Sequence, residues 1–237
     1  LSIKEALFLT EEAEKTLKEI EEMQERAMSE NLERPLAFKI KYFLDSLNSA
    51  LDYTAYYIFE KFCLESATYK LNETQLSRVK RKIYFPSYKK EDVFIKEMDK
   101  NFIDLKENHS EIYHILKSSQ VFSTESQWLL EFKSLANQNK HIKLTRSKKM
   151  FDGVIKRADL GNGVVLENNV FINTGQPVSV NGEPLDVFNP HSHSYIHNFE
   201  GEFTSYYCLE EGHIPVVTVL KEYLINIKNI VIEIDNY

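Results

Sequence analysis

From Ile3 to about Glu30, apolar residues recur close to every 3.6 positions, at Ile3, Leu7, Ala13, Leu17, Ile20, Met23 and Ala27. Glu and Lys fill the remaining positions, so the pattern predicts an amphipathic helix with a narrow buried stripe. Thr10, followed by Glu12 and Ala13, could instead cap a fresh helix there. Pro35 suits the first turn of a second helix, where its missing N–H costs nothing. That helix is expected to run to about Ser66. Its apolar face reads Leu36, Ile40, Phe43, Leu44, Leu47, Ala50, Leu51, Tyr53, Thr54, Tyr57, Ile58 and Phe62, wide enough for a central position in a bundle. Tyr42, Tyr53, Tyr56 and Tyr57 add hydroxyl tips that need partners wherever they are buried.

Downstream, a shorter helical stretch is expected around Glu73–Lys82, then a break at YFPSYKKEDVF, where Pro86 drives Phe85 towards an extended conformation. Segments 91–101, 109–119 and 124–139 again show helical spacing with short links, and Ser123 and Thr124 with Glu125 and Gln127 suit the start of the last one. After Lys149 the character changes. Gly, Asn, Val and Ile replace the Glu/Lys/Leu mixture, and the stretch to about 209 reads as short strands separated by turns, with Asn181-Gly182 as the clearest hairpin signal. Pro215 then opens PVVTVLKEYLINIKNIVIEI, whose Val and Ile content would suit a strand but whose apolar stripe, from Val216 and Val219 through Leu220, Tyr223, Leu224, Ile227, Ile230 and Val231, has the helical period. The expected architecture is mainly α (α+β): a helical bundle over 1–149, a small β-rich insertion over 150–210, and a C-terminal helix over 211–237 that packs back on the bundle.

Composition is that of an ordinary globular chain, with 43% hydrophobic and 27% charged residues among 237. No apolar run is long enough for a membrane span, and LSIKEALFLTEEAEK turns acidic before a signal-peptide core could form, so a cytoplasmic protein with no membrane partner is expected. Two cysteines, Cys63 and Cys208, make neither a disulfide framework nor a zinc motif and read as packed, reduced thiols. The formal net charge is −7, but its distribution is uneven. Residues 1–34 carry ten Glu against five Lys or Arg, whereas 78–90 carry six basic residues and no acid. Here Arg78, Lys80, Arg81 and Lys82 stand close together. A second basic run at 140–149 includes Lys143 and Arg146. Both have the footprint of a surface for phosphate-rich partners, or of solvated helix ends.

Candidate chemistry concentrates in SSQVFSTESQWLLEFKSLANQNKHIKLT. Trp128, Leu129, Phe132, Leu135 and Ala136 supply a buried face, and Asn137, Gln138, Asn139, Lys140 and His141 follow at the helix end. A neutral His141 could take a proton from a ribose hydroxyl and return one to a leaving oxygen while Lys140 stabilised the phosphate charge. Equally, Lys140 and His141 could offset the helix dipole while Asn137 or Asn139 caps its carbonyls. Asn48 and Asp52, one turn apart with Asp45 a turn before, could orient the His141 ring or simply lie on the wet side of their helix. In NPHSHSYIHN an extended chain would project His191, His193 and His197 from one side, a weak metal alternative with no acidic residue or cysteine beside it. No phosphate loop, nucleophile elbow or His-Glu-x-x-His helix occurs, and no cofactor is called for.

The long helix with LNSALDYTAYYIFEK, the YFP turn and SSQVFSTESQWLLEFKSLANQNKH together resemble uncharacterised bacterial helical-bundle proteins similar to the HEPN-like superfamily, over roughly residues 36–146. The resemblance implies a helical bundle, commonly a homodimer. It also implies a setting among toxin or phage-defence systems, where many members are metal-independent ribonucleases. Their signature is an arginine followed four to six residues later by histidine, frequently with an Asn after the arginine. Asn137 and His141 match the Asn and the histidine, but Ala136 stands at the arginine position. Lys140 or Arg146 would have to replace its fixed bidentate geometry. Two readings follow. One is a non-catalytic binding or assembly module with a homodimeric bundle and a protein partner, and it accounts for Ala136. The other is an RNA-binding protein or metal-independent ribonuclease, and it accounts for the basic runs.

Overall fold

A computed structural model of the chain describes residues 3–26, 32–124, 127–141, 145, 147–161, 163–174, 179–180, 183–184, 196, 198–209 and 214–237. The fold is mainly α with a small antiparallel sheet before the last helix. Two compact units divide the chain. The first comprises 1–18, 39–144 and 220–237, and the second comprises 19–38 and 145–219.

Helix α1 spans Ile3–Glu25 without interruption, so Thr10 caps no new helix. It is buried, and its hydroxyl donates to the Leu7 carbonyl 2.7 Å away, which lets a polar side chain sit inside a helix without an orphaned donor. Helix α2 spans Glu33–Ile58 and continues through a π-helical turn, Phe59–Cys63, into α3, Leu64–Lys70. The extra residue of the π turn shifts the buried face. Phe59 and Cys63 are inward while Phe62 is only half-buried, its ring tilted 60° to that of His109 with centroids 4.8 Å apart. Burial pushes the Cys63 thiol up to about 12, so it is an inert packed thiol at neutral pH. Cys208 is likewise a buried thiol outside any disulfide, and burial shifts it upward.

Helix α4, Glu73–Lys80, opens on a capping box. Asn72 accepts from the Gln75 N–H and the Gln75 side chain accepts from the Asn72 N–H. This local device matters because α4 buries none of its residues and so draws little stability from packing. Helices α5 (Glu91–Asn101), α6 (Leu105–Asn108) and α7 (Ser110–Ser118) follow, with Asp104 at φ 60° ahead of α6. The expected single helix over 124–139 is instead a short turn, α8 (Val121–Thr124), and a separate α9 (Trp128–His141). Gln127, whose carbonyl accepts the Glu131 N–H, starts α9 in place of Ser123 or Thr124.

The last helix, α10, spans Val216–Asp235, and all eight residues of its expected stripe are buried. The helical period therefore outweighs the β-branched content. Within the first unit α10 lies against the bundle. Tyr223 meets Phe132 of α9 edge-on at 5.3 Å, and the Lys228 ammonium lies 2.8 Å from the Glu14 carboxylate of α1.

In the second unit, β1 (Ser147–Asp159) is the centre of a three-stranded antiparallel sheet, flanked by β2 (Val165–Thr174) and β5 (Asn198–Leu209). These strands are longer than the turn-rich sequence suggests, and β1 begins two residues before the change in composition. Gly153 and Gly201 are required by close approach. A Cβ on Gly153 would lie 2.2 Å from the Phe203 ring, and one on Gly201 would lie 2.8 Å from the same ring. Short strands β3 (Ser179–Val180) and β4 (Glu183–Pro184) pair antiparallel across 181–182. The turn residues Asn181 and Gly182 lie outside the described residues.

One long-range bond holds the start of α2. Leu32 provides the carbonyl for the first helical N–H, that of Leu36, but has no side-chain oxygen to satisfy an orphan donor. Its own N–H donates instead to the buried Tyr207 hydroxyl of β5 at 2.9 Å. Tyr207→Phe is expected to cost about 1–2 kcal/mol, because it leaves that donor unpaired at little change in volume. A denaturation midpoint unchanged by this substitution would show that water replaces the hydroxyl.

Candidate polyanion-binding ribbon

The basic segment after α4 is mounted on the first unit by alternating exposure. Lys82 and Tyr84 face solvent, whereas Ile83, Phe85 and Pro86 are buried. Apolar anchors therefore hold the backbone while cation and ring point outward. Two polar clamps fix the anchors. In the first, the Asp52 carboxylate of α2 accepts the Phe85 N–H at 3.3 Å, the Lys133 ammonium of α9 at 3.3 Å and the Asn48 amide at 3.2 Å. The Asn48 carbonyl oxygen accepts Lys133 at 2.8 Å. The Lys133 side chain is 16% exposed and that of Asp52 26%, so the charges are largely withdrawn from water and depend on each other.

The second clamp is Gln120, buried just beyond α7. Its amide donates to the Pro86 carbonyl at 3.0 Å and the Leu116 carbonyl at 2.9 Å, and its oxygen accepts the Tyr88 N–H at 2.9 Å. A single side chain thus ties both sides of Ser87 to the end of α7. The Tyr88 ring packs against Phe94, itself fully buried between Tyr113 and Phe122. Burial raises the Tyr88 phenol above its ordinary range, so it stays neutral.

On the outer side, Arg78, Arg81 and Lys82 are exposed and Lys80 is half-buried. No ion pair engages these four side chains among the described residues. Elsewhere in this unit surface lysines do find acids: the exposed Lys70 bonds Asp104 at 2.6 Å and the half-buried Lys117 bonds Glu91 at 2.6 Å. The ribbon is therefore a concentration of unneutralised cations on a braced backbone, which suits recognition of a polyanion. Two aromatic rings bracket it in sequence, Tyr69 in α3 at 91% exposure and Tyr84 at 61%.

The other sequence candidates are distributed as follows. Asn48 and Asp52 point inward, neither on the wet side nor idle, and the partner they hold is Lys133. Asp45 pairs with Lys41 along α2. Asn137 is exposed on α9, and the Asn139 amide donates to the Leu135 carbonyl at 2.9 Å. Lys140 and His141 belong to α9, but their side chains lie outside the described residues, as do Lys143, Arg146, His191, His193 and His197. Among the described residues no cluster of three or more metal-ligating side chains occurs, and no helix is long and apolar enough to cross a membrane.

Sequence reasoning missed Lys133 and Gln120. A signal for Lys133 existed, since it directly follows the core residue Phe132 and lies one turn beyond Leu129, at the border of the buried face. Gln120 left none, because the ribbon groups it holds, the Tyr88 N–H and the Pro86 carbonyl, are more than thirty residues away. Comparison with protein-family models, with curated proteins and with solved structures finds no match to this chain.

Proposed function

We propose that this chain is a non-catalytic binding module with a HEPN-like helical unit, and that it holds a polyanionic partner along the ribbon from Arg78 to Lys90. One observation carries the reading: unpaired cations at the end of α4 and just after it lead directly into a backbone that two internal clamps and three buried anchors hold in place. A flexible basic loop would lose conformational entropy on binding, whereas this one is ordered beforehand. The polar groups inside the unit support a binding role rather than a catalytic one, because Lys133, Asp52, Asn48 and Gln120 are all consumed in holding the ribbon. The resemblance implies that the module is bacterial and acts as a homodimer.

The test is binding of labelled inorganic polyphosphate, followed by fluorescence anisotropy as salt is raised. The combined variant Arg78→Gln, Lys80→Gln, Arg81→Gln, Lys82→Gln is expected to bind roughly tenfold or more weakly at low salt. Its slope of log affinity against log salt should be shallower by about 3, since each phosphate contact on a single strand contributes about 0.7. Circular dichroism should be unchanged, because α4 buries nothing. Equal affinity and slope for native chain and variant would remove the ribbon from the binding surface. The ribonuclease reading rests on Asn137, exposed one turn before His141 on α9. It would take precedence if RNA were cleaved in chelator and cleavage vanished on His141→Ala.

A further inference from the structure

We infer that the partner on the ribbon is a single-stranded nucleic acid, with Tyr84 as a stacking platform for an unpaired base. This rests on the polyanion-binding reading and specifies its ligand. Cations alone do not distinguish a nucleic acid from inorganic polyphosphate or an acidic peptide, since all three present only negative charge to Arg78, Arg81 and Lys82. The ring decides. Tyr84 is 61% exposed although both sequence neighbours are buried, so the fold spends an anchored position on presenting an aromatic face to solvent. Its backbone cannot turn the ring inward without releasing Ile83 or Phe85, and the Phe85 N–H is already bonded to Asp52. Among the described residues the Tyr84 ring makes no aromatic or hydrogen-bonded contact within the chain.

An outward ring two positions after the outward Lys82, with Arg81 next to it in sequence, offers a nucleotide two contacts, phosphate to cation and base to ring. Bases within a duplex are stacked on one another and have no free face, so a duplex engages the cations alone. Tyr69, 91% exposed in the helix that leads into α4, supplies a second ring on the same stretch of chain. A polyglutamate chain carries no aromatic ring to lay on either tyrosine.

The experiment compares native chain, Tyr84→Ala and Tyr84→Phe in anisotropy titrations. The probes are a fluorescein-labelled single-stranded oligonucleotide, the same sequence as a duplex, inorganic polyphosphate and polyglutamate. Single-strand affinity is expected to fall about tenfold in Tyr84→Ala and to be retained in Tyr84→Phe, with polyphosphate affinity the same in all three. The 237-residue chain is used throughout, and the exposed ring leaves the fold undisturbed when removed. Single-strand binding indifferent to Tyr84→Ala, or no tighter than duplex or polyglutamate binding, would overturn the inference while polyphosphate binding kept the ribbon reading intact. Failure to bind both polyphosphate and oligonucleotide would overturn the two together.

Discussion

Asp52→Ala is expected to lower stability by about 2–3 kcal/mol and also to weaken polyanion binding, although Asp52 is acidic and sits behind the ribbon. Removing its carboxylate leaves the Phe85 N–H without its acceptor and takes the Asp52 carboxylate away from the Lys133 ammonium. A largely buried ammonium that loses its counter-charge is more costly than the pair itself was favourable. Trp128, the single tryptophan, lies in α9 with Lys133 and reports unfolding by its fluorescence in urea. Lys133→Met in the same background should recover part of the loss, since it removes a charge from a largely buried position. Simple electrostatics would predict tighter polyanion binding once a carboxylate is deleted. Weaker binding would show that positioning of Phe85, and with it Tyr84 and Lys82, outweighs the change in net charge.

Phe132→Ala is expected to produce the largest loss of stability, about 3–5 kcal/mol. Phe132 is fully buried, and its edge-on contact with Tyr223 joins α9 to α10 in the first unit. Alanine would remove both the ring pairing and the volume behind it, and Tyr223, whose phenol burial holds well above its ordinary range, would face the cavity. Phe132→Leu should cost much less, because it retains most of the packing. A loss below about 1 kcal/mol for Phe132→Ala would mean that α9 and α10 can collapse onto one another without the ring.

The two results address different layers of information in the chain. The helices α1, α2 and α10 were legible because the apolar period identifies most of their buried faces, although on α2 it misplaced Tyr53, which is exposed because its hydroxyl-bearing ring lies at the edge of the stripe. Even the Val- and Ile-rich α10 matched residue for residue, since period outranks β propensity once a helix has a core to face. Boundaries were less legible. The break between α8 and α9 escaped because Ser123, Thr124, Glu125 and Gln127 form a plausible helix start, whereas the carbonyl that accepts the first helical N–H belongs to Gln127. Long strands in the second unit were read as short ones because Gly153 looks like a turn residue. Its role is to admit the Phe203 ring from a strand fifty residues away, which no local pattern encodes.

The site divides in the same way. The run RVKRKIYFPSYKK announced a basic surface, and Pro86 announced an extended turn, from residue types alone. What makes that surface specific is the burial of alternate residues and the two polar clamps. Their members lie 33 positions apart for Asp52 and Phe85, and 81 for Asp52 and Lys133. Local sequence determined the helices, the charge and the presence of two tyrosines beside it, because periodicity and composition act over a few residues. Only the tertiary structure decided that Asp52 faces inward to Lys133 and that Tyr84 faces outward. The reason is physical: a charged or aromatic side chain takes its orientation from the desolvation cost and the partners at its own site, and those partners arrive from distant parts of the chain.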